Sequence, residues 1–227
     1  MGKKKKENTI KEPLILYKNE KLAKALAGVK ANILNREGER TIKSILITSS
    51  VRGEGTTTVA LNYAAVSSES DGTKTLLIDA NLRHPMIHKV FGIDNTRGFS
   101  EIVFEQANPS ETIKASGIAN LDIIPAGGLQ VNLNRVFSKT LLRKAISEIS
   151  GDYEAVILDG PAVSVFPDAP TMAGLVDGVI IVVAAHRTRR EVIIEAKERL
   201  EEVGGHLLGT VLNKREYVIP ERIYRKL

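Results

Sequence analysis

Ile45-Leu46-Ile47-Thr48-Ser49-Ser50-Val51-Arg52-Gly53-Glu54-Gly55-Thr56-Thr57-Thr58 is the stretch on which the reading of this chain turns. An apolar run of strand length enters a glycine-containing loop, and the loop enters a segment of helical period from Thr57 to Ser68. A loop of this kind turns successive backbone N–H groups inward, and the helix start adds partial positive charge. Together they form a cradle for an anion, most often a phosphate. Gly53 and Gly55 allow the close backbone approach that side chains would forbid. Thr57, at the helix start, stands where a hydroxyl can meet Mg²⁺.

Working outward, further short apolar runs follow: Thr75–Ile78, Leu121–Ile124, Ala155–Leu158, Val179–Val183 and Leu207–Leu212. Most are continuous rather than alternating, which suits strands buried on both faces of a parallel sheet. Segments of helical period lie before and between them, at Glu20–Asn35, Val136–Ile149 and Arg190–Val203. The long stretch from Asn81 to Asn120 reads as an insertion with short helices near Met86–Phe91 and Phe99–Gln106. Strand and helix alternate throughout. The expected fold is therefore α/β, a doubly wound and mostly parallel sheet flanked by helices, in a single domain. That domain is expected over 19–213, between a basic tail at 1–18 and a basic, tyrosine-containing tail at 214–227.

Composition narrows the function. The 227 residues carry 32 basic and 27 acidic side chains, for a net charge of +5, with 43% apolar residues and no cysteine. Disulfides, thiolate metal sites and a cysteine nucleophile are excluded. No apolar run approaches the ~20 residues that cross a bilayer. Met1 to Lys6 lacks the apolar stretch of a signal peptide, so a cytoplasmic location is expected. Lys3–Lys6 and the five basic residues after Asn213 read as solvated tails or as segments attracted to an anionic surface. Aromatic residues make up 4% and show no stacking pattern, so nucleic-acid binding is not expected.

Two carboxylates sharpen the picture. Asp79 ends the run Leu76-Leu77-Ile78, and Asp159 ends Val156-Ile157-Leu158. In an open parallel sheet the ligand crevice lies outside the carboxyl ends of the strands. Both acids thus converge on the edge that carries the glycine loop, the arrangement that Mg²⁺–nucleotide chemistry needs.

The order of loop, Leu-Leu-Ile-Asp-x-x-x-Arg and Val-Ile-Leu-Asp-x-Pro resembles the bacterial tyrosine kinases of capsule and exopolysaccharide synthesis, within the MinD/ParA-like P-loop group. The likeness runs from the helix after Glu20 to Asn213-Lys214. It implies a nucleotide site of Arg52, Gly53, Glu54, Gly55, Thr56, Thr57 and Thr58, with Asn213 beside the base. It implies Mg²⁺ on Thr57, Asp79 and Asp159, and catalysis by Asp79, the residue at Asn81, and Asp159. Tyr217 and Tyr224 are its candidate phosphoacceptors. The implied partner is a membrane-embedded polysaccharide co-polymerase or chain-length regulator, which would recruit the protein to the inner face of the membrane. Self-association is implied too.

The departures are as informative as the matches. A Walker A loop reads G-x-x-x-x-G-K-S/T; here Ser50 replaces the first glycine and Thr56 the lysine. A threonine hydroxyl offers a hydrogen bond without charge, a loss of roughly 1.5–3 kcal/mol in phosphate binding. The second acid of the Asp-x-Asp-x-Arg motif is Asn81, which can neither take a proton as a base nor bring charge to Mg²⁺. Val51 stands where the wider group has its signature lysine. The first-helix assembly motif would fall on Lys24, Ala27 and Lys30, and only Lys30 keeps its charge. These changes imply a kinase-like protein that binds Mg-ATP or Mg-ADP with reduced affinity and whose phosphotransfer is weak or lost. Two other readings stay open: an active tyrosine autokinase that uses Arg52 in place of the lysine, and a MinD/ParA-like ATPase switch.

Three other groups have plainer expectations. His84 and His88 read as a surface pair rather than a metal site. Asp168 either approaches the terminal phosphate or caps the helix that follows. Arg187, Arg189 and Arg190 read as a solvated face.

Overall fold

The computed structural model describes residues 18–38, 40–70, 72–128, 138–165 and 167–215. Of the expected tails at 1–18 and 214–227, only Lys18, Lys214 and Arg215 fall within these.

Helix α1, Glu20–Glu37, opens on Asn19, whose side chain accepts the N–H groups of Lys21 (3.1 Å) and Leu22 (3.2 Å). It runs two residues past the apolar pattern and stops at Gly38. Strand β1 (Ser44–Ser49), helix α2 (Thr56–Ser70) and strand β2 (Thr75–Asp79) follow. The insertion holds α3 (Ile87–Phe91), α4 (Phe99–Val103), α5 (Pro109–Thr112) and the two-residue strand β3, Lys114–Ala115. The chain continues through β4 (Leu121–Ile124), α6 (Lys139–Ser150), β5 (Ala155–Asp159), α7 (Asp168–Ala173), β6 (Gly178–Ala184), α8 (Arg190–Glu202) and β7 (Leu207–Asn213).

Three expectations shift. The second insertion helix ends before Gln106, because Phe104 caps it and Glu105 takes a left-handed φ of 57°. Helix α6 begins after Ser138 rather than at Val136, which lies outside the described residues. Elements α5 and β3 are too short to leave a periodic signal.

The sheet order is β3-β4-β2-β5-β1-β6-β7, with every neighbouring pair parallel except β3 with β4. Strand β1 therefore lies inside the sheet, between β5 and β6, and all six of its residues are buried. Its side chains alternate between two cores. Ile45 and Ile47 pack with residues of α1, α2 and α3 on one face, while Leu46 packs with residues of α4, α6, α7 and α8 on the other. At the opposite edge Asp177 fixes the entry of β1: its carboxylate accepts Lys43 N–H, Ser44 N–H and the Ser44 hydroxyl at 2.7–3.0 Å.

Leu46 is fully buried at the centre of this arrangement. Leu46→Ala is expected to lower unfolding stability by about 3–4 kcal/mol, read as a lower midpoint in denaturant with an unchanged slope.

Candidate functional site

The loop between β1 and α2 is built on two left-handed glycines, Gly53 at φ +85° and Gly55 at φ +95°. Gly55 has a second constraint, since a Cβ there would lie 2.2 Å from Asn213 Nδ2. Asn213, the last residue of β7, donates from that nitrogen to the Glu54 carbonyl at 2.8 Å. Lys214 reaches back to donate to the Gly53 carbonyl at 2.6 Å. The loop is thus tied to the end of the edge strand β7, across β6.

Glu54 behaves differently from the rest of the loop. Its carboxylate turns into the protein, where it accepts the N–H groups of Val51 and Ala184, each at 2.9 Å, and the Thr188 hydroxyl.

Parallel pairing of β2 with β5 places Asp79 opposite Asp159, and both are completely buried. Oδ2 of Asp79 accepts the N–H groups of Met86 and Ile87, each at 3.0 Å, and so anchors the start of α3. Its Oδ1, and both oxygens of Asp159, have no well-formed hydrogen bond among the described residues. Burial strips both groups of water and pushes them up. Asp79 rises to about 7, held back by the N–H groups of Ile87, Met86 and Asn81 and by Lys89. Asp159 rises well above the usual carboxylate range, with the charge of Asp79 adding to the effect and the Thr57 hydroxyl opposing it. Two buried acids with three orphaned oxygens, next to a hydroxyl at a helix start, suit a hard divalent cation of the Mg²⁺ kind. Thr57, Asp79 and Asp159 are the residues that fit it.

A cavity of about 300 Å³ is lined by chain neighbours of this pair, Asn81 and Gly160, and by Thr57, though by neither acid itself. Arg52, Gly53, Gly55 and Thr56–Thr58 line one side, Asn81, Arg83 and His84 another, and Gly160–Ala162 a third. The structure therefore brings together most of the residues singled out from the sequence. Asp79, Asp159, Glu54 and Asn213 are not among the lining residues: the two acids are completely buried, and Glu54 and Asn213 act on the loop from behind. Tyr217 and Tyr224 lie outside the described residues. Asn81 lines the cavity with its Oδ1 buried and unpartnered. Gly160 follows Asp159 and donates its N–H to the Ile47 carbonyl at 2.9 Å.

The side chain of Asp168 does not cap the helix that it opens. Its carboxylate, 1% exposed, accepts two hydrogen bonds from Arg83, at 2.6 Å from Nε and 3.2 Å from Nη2. The pairing links residues 85 positions apart, beyond the reach of any local pattern. His84 is exposed, and its imidazole is held below its ordinary value by desolvation and by the charges of Arg52 and Arg83. His88 is half-buried, with its Nδ1 buried and without a hydrogen-bond partner among the described residues, so the two do not form the surface pair that the sequence suggested. Arg187, Arg189 and Arg190 are exposed, as expected. No helix of the described residues is long and apolar enough to cross a membrane.

Fold and site together define a P-loop-type α/β protein, and residues 42–203 match the family model described as an AAA domain. The chain is 32% identical over 185 residues to the tyrosine-protein kinase YwqD of Bacillus subtilis strain 168, covering 82% of this chain and 78% of that protein. The chimerical protein CapA2B2 superimposes with a TM-score of 0.83 at 26% identity, covering 90% of this chain and 91% of that one. The kinase domain of the Escherichia coli tyrosine kinase ETK shares the fold, with a TM-score of 0.85 at 23% identity over 96% of this chain and 84% of that one. The chain belongs to the bacterial tyrosine kinase family.

The raised acids make stability depend on pH. Unfolded, both titrate at about 4; folded, Asp79 titrates at about 7 and Asp159 above its ordinary range. The folded state holds more protons across that window, so stability falls as pH rises through it. In metal-free buffer Asp159→Asn is expected to melt higher than the parent near neutral pH, with an advantage that shrinks toward about pH 4. Thermal melts of both chains across this range check it, and parallel curves would refute it.

Proposed function

We propose that this protein is a nucleotide-binding, kinase-like member of its family that regulates capsular or exopolysaccharide synthesis or export, with weak or lost phosphotransfer. One observation carries the reading: Thr56 lines the cavity where the loop motif calls for a lysine. The amides around Gly53 and Gly55 would take the phosphates of Mg-ATP or Mg-ADP, and Asn213 would sit on the base side of the loop. A bound divalent cation supplies positive charge against the phosphate oxygens; Thr57, Asp79 and Asp159 would hold it. The shortfall lies in what surrounds it. Thr56 brings no charge to the terminal phosphates, and Asn81, on the opposite wall, accepts no proton from an incoming hydroxyl. Each loss removes stabilisation that strengthens in the transition state, so the rate suffers more than binding.

The partner that fits this reading is a membrane-embedded polysaccharide co-polymerase with an activating cytoplasmic segment, which would also bring the protein to the membrane. The kinase names of its relatives support a role of that kind. A second reading has an observation in its favour. Arg52 lines the same cavity as Thr56, and an arginine there can replace the missing cation in an active autokinase that modifies Tyr217 and Tyr224.

Calorimetric titration with Mg-ADP and Mg-ATP separates the two. The parent is expected to bind weakly and Thr56→Lys to gain about 1.5–3 kcal/mol. Phosphotyrosine should stay at background when the parent is incubated with Mg-ATP and an activating segment. Robust phosphotyrosine that disappears in the Tyr217→Phe/Tyr224→Phe chain would overturn the first reading in favour of the second.

A further inference from the structure

Glu54 sits in the middle of the loop, yet only 1% of it is exposed and its carboxylate points away from the cavity. Oε2 accepts the Val51 N–H, three residues back, and closes the first half of the loop on itself. Oε1 accepts the N–H of Ala184, the last residue of β6, and the hydroxyl of Thr188, in the turn that leads to α8. The next link is made by backbone: the Glu54 carbonyl receives Asn213 Nδ2 from the end of β7. One residue therefore gathers the loop, the β6–α8 turn and the carboxyl end of β7.

The chemistry at this position calls for a carboxylate. Three donors converge on it and it offers none in return, a pattern that an amide cannot match because its NH₂ would face one of them. The loop it holds contains two left-handed glycines, the residues with the most backbone freedom to lose on ordering. A loop already held in its anion-binding shape spares the ligand that ordering cost.

We propose that Glu54 and Thr188 are positioning residues for the phosphate-binding loop, setting its affinity for a phosphate-bearing nucleotide through a clasp to the β6–α8 turn that never touches the ligand. The inference rests on the nucleotide-binding reading above and deepens it. The clasp matters more here because the loop has no lysine to draw the phosphates in.

The test uses the full chain and two readouts. In the ligand-free protein, Glu54→Gln should speed amide exchange at Val51 and Ala184 by about tenfold or more, while the amides of Ile45 to Ile47 in the core keep their parental protection. Titrated with Mg-ADP, Glu54→Gln should bind about tenfold more weakly, and Thr188→Val, which keeps shape and loses the hydroxyl, roughly three- to tenfold more weakly. Thr188→Ser should return binding to the parental level, a rescue that a purely steric role for this side chain would not give. Unchanged exchange at Val51 in Glu54→Gln overturns the clasp, whatever the nucleotide result. Faster exchange with parental Mg-ADP affinity leaves Glu54 a structural residue and overturns its positioning role. A parent that shows no Mg-ADP binding, with the exchange effect present, sinks the nucleotide reading instead and the ligand half of this inference with it.

Discussion

The register between β2 and β5 sets two carboxyl groups side by side with no water around them. Most of the site is arranged around that fact. Asp79 spends one oxygen on the N–H groups that open α3, and the first turn of α2 brings Thr57 beside Asp159. An orphaned buried polar group costs roughly 1–3 kcal/mol, and three such oxygens gather here. The two apolar cores on either face of the sheet offset this cost.

Charge around the cavity is unevenly placed. Thr56 brings no charge to the cavity, while the loop's own Arg52 lines it, as do Arg83 and His84 from the segment after β2. Arg83 is already engaged by Asp168, which joins the wall after β2 to the start of α7. Lys214 lies behind the loop, on the Gly53 carbonyl rather than in the cavity.

Much of this was legible in the residues. Strands buried on both faces leave uninterrupted apolar runs, so the sheet could be read from Ile45–Ile47, Leu76–Ile78 and Ile180–Val183. Acids at the ends of such runs fall on one edge by topology alone, which is why Asp79 and Asp159 were found without a structure. Contacts between distant segments left no such trace. Arg83 with Asp168, and Glu54 with Ala184 and Thr188, join segments 85 and 130 or more residues apart. A glutamate in a phosphate loop gives no sign in sequence of whether it faces the ligand or the interior. The short elements α5 and β3 were invisible for a simpler reason, since four residues and two residues cannot establish a period.

Gly160 joins the acidic edge to the interior. A methyl group there would sit 2.6 Å from Leu46 Cδ1 and 3.3 Å from the Ile47 carbonyl oxygen. Only a hydrogen atom separates the turn after Asp159 from strand β1. The position of the turn that follows that acid is therefore limited by steric contact with a fully buried leucine, and acidic edge and hydrophobic interior meet along one shared van der Waals boundary.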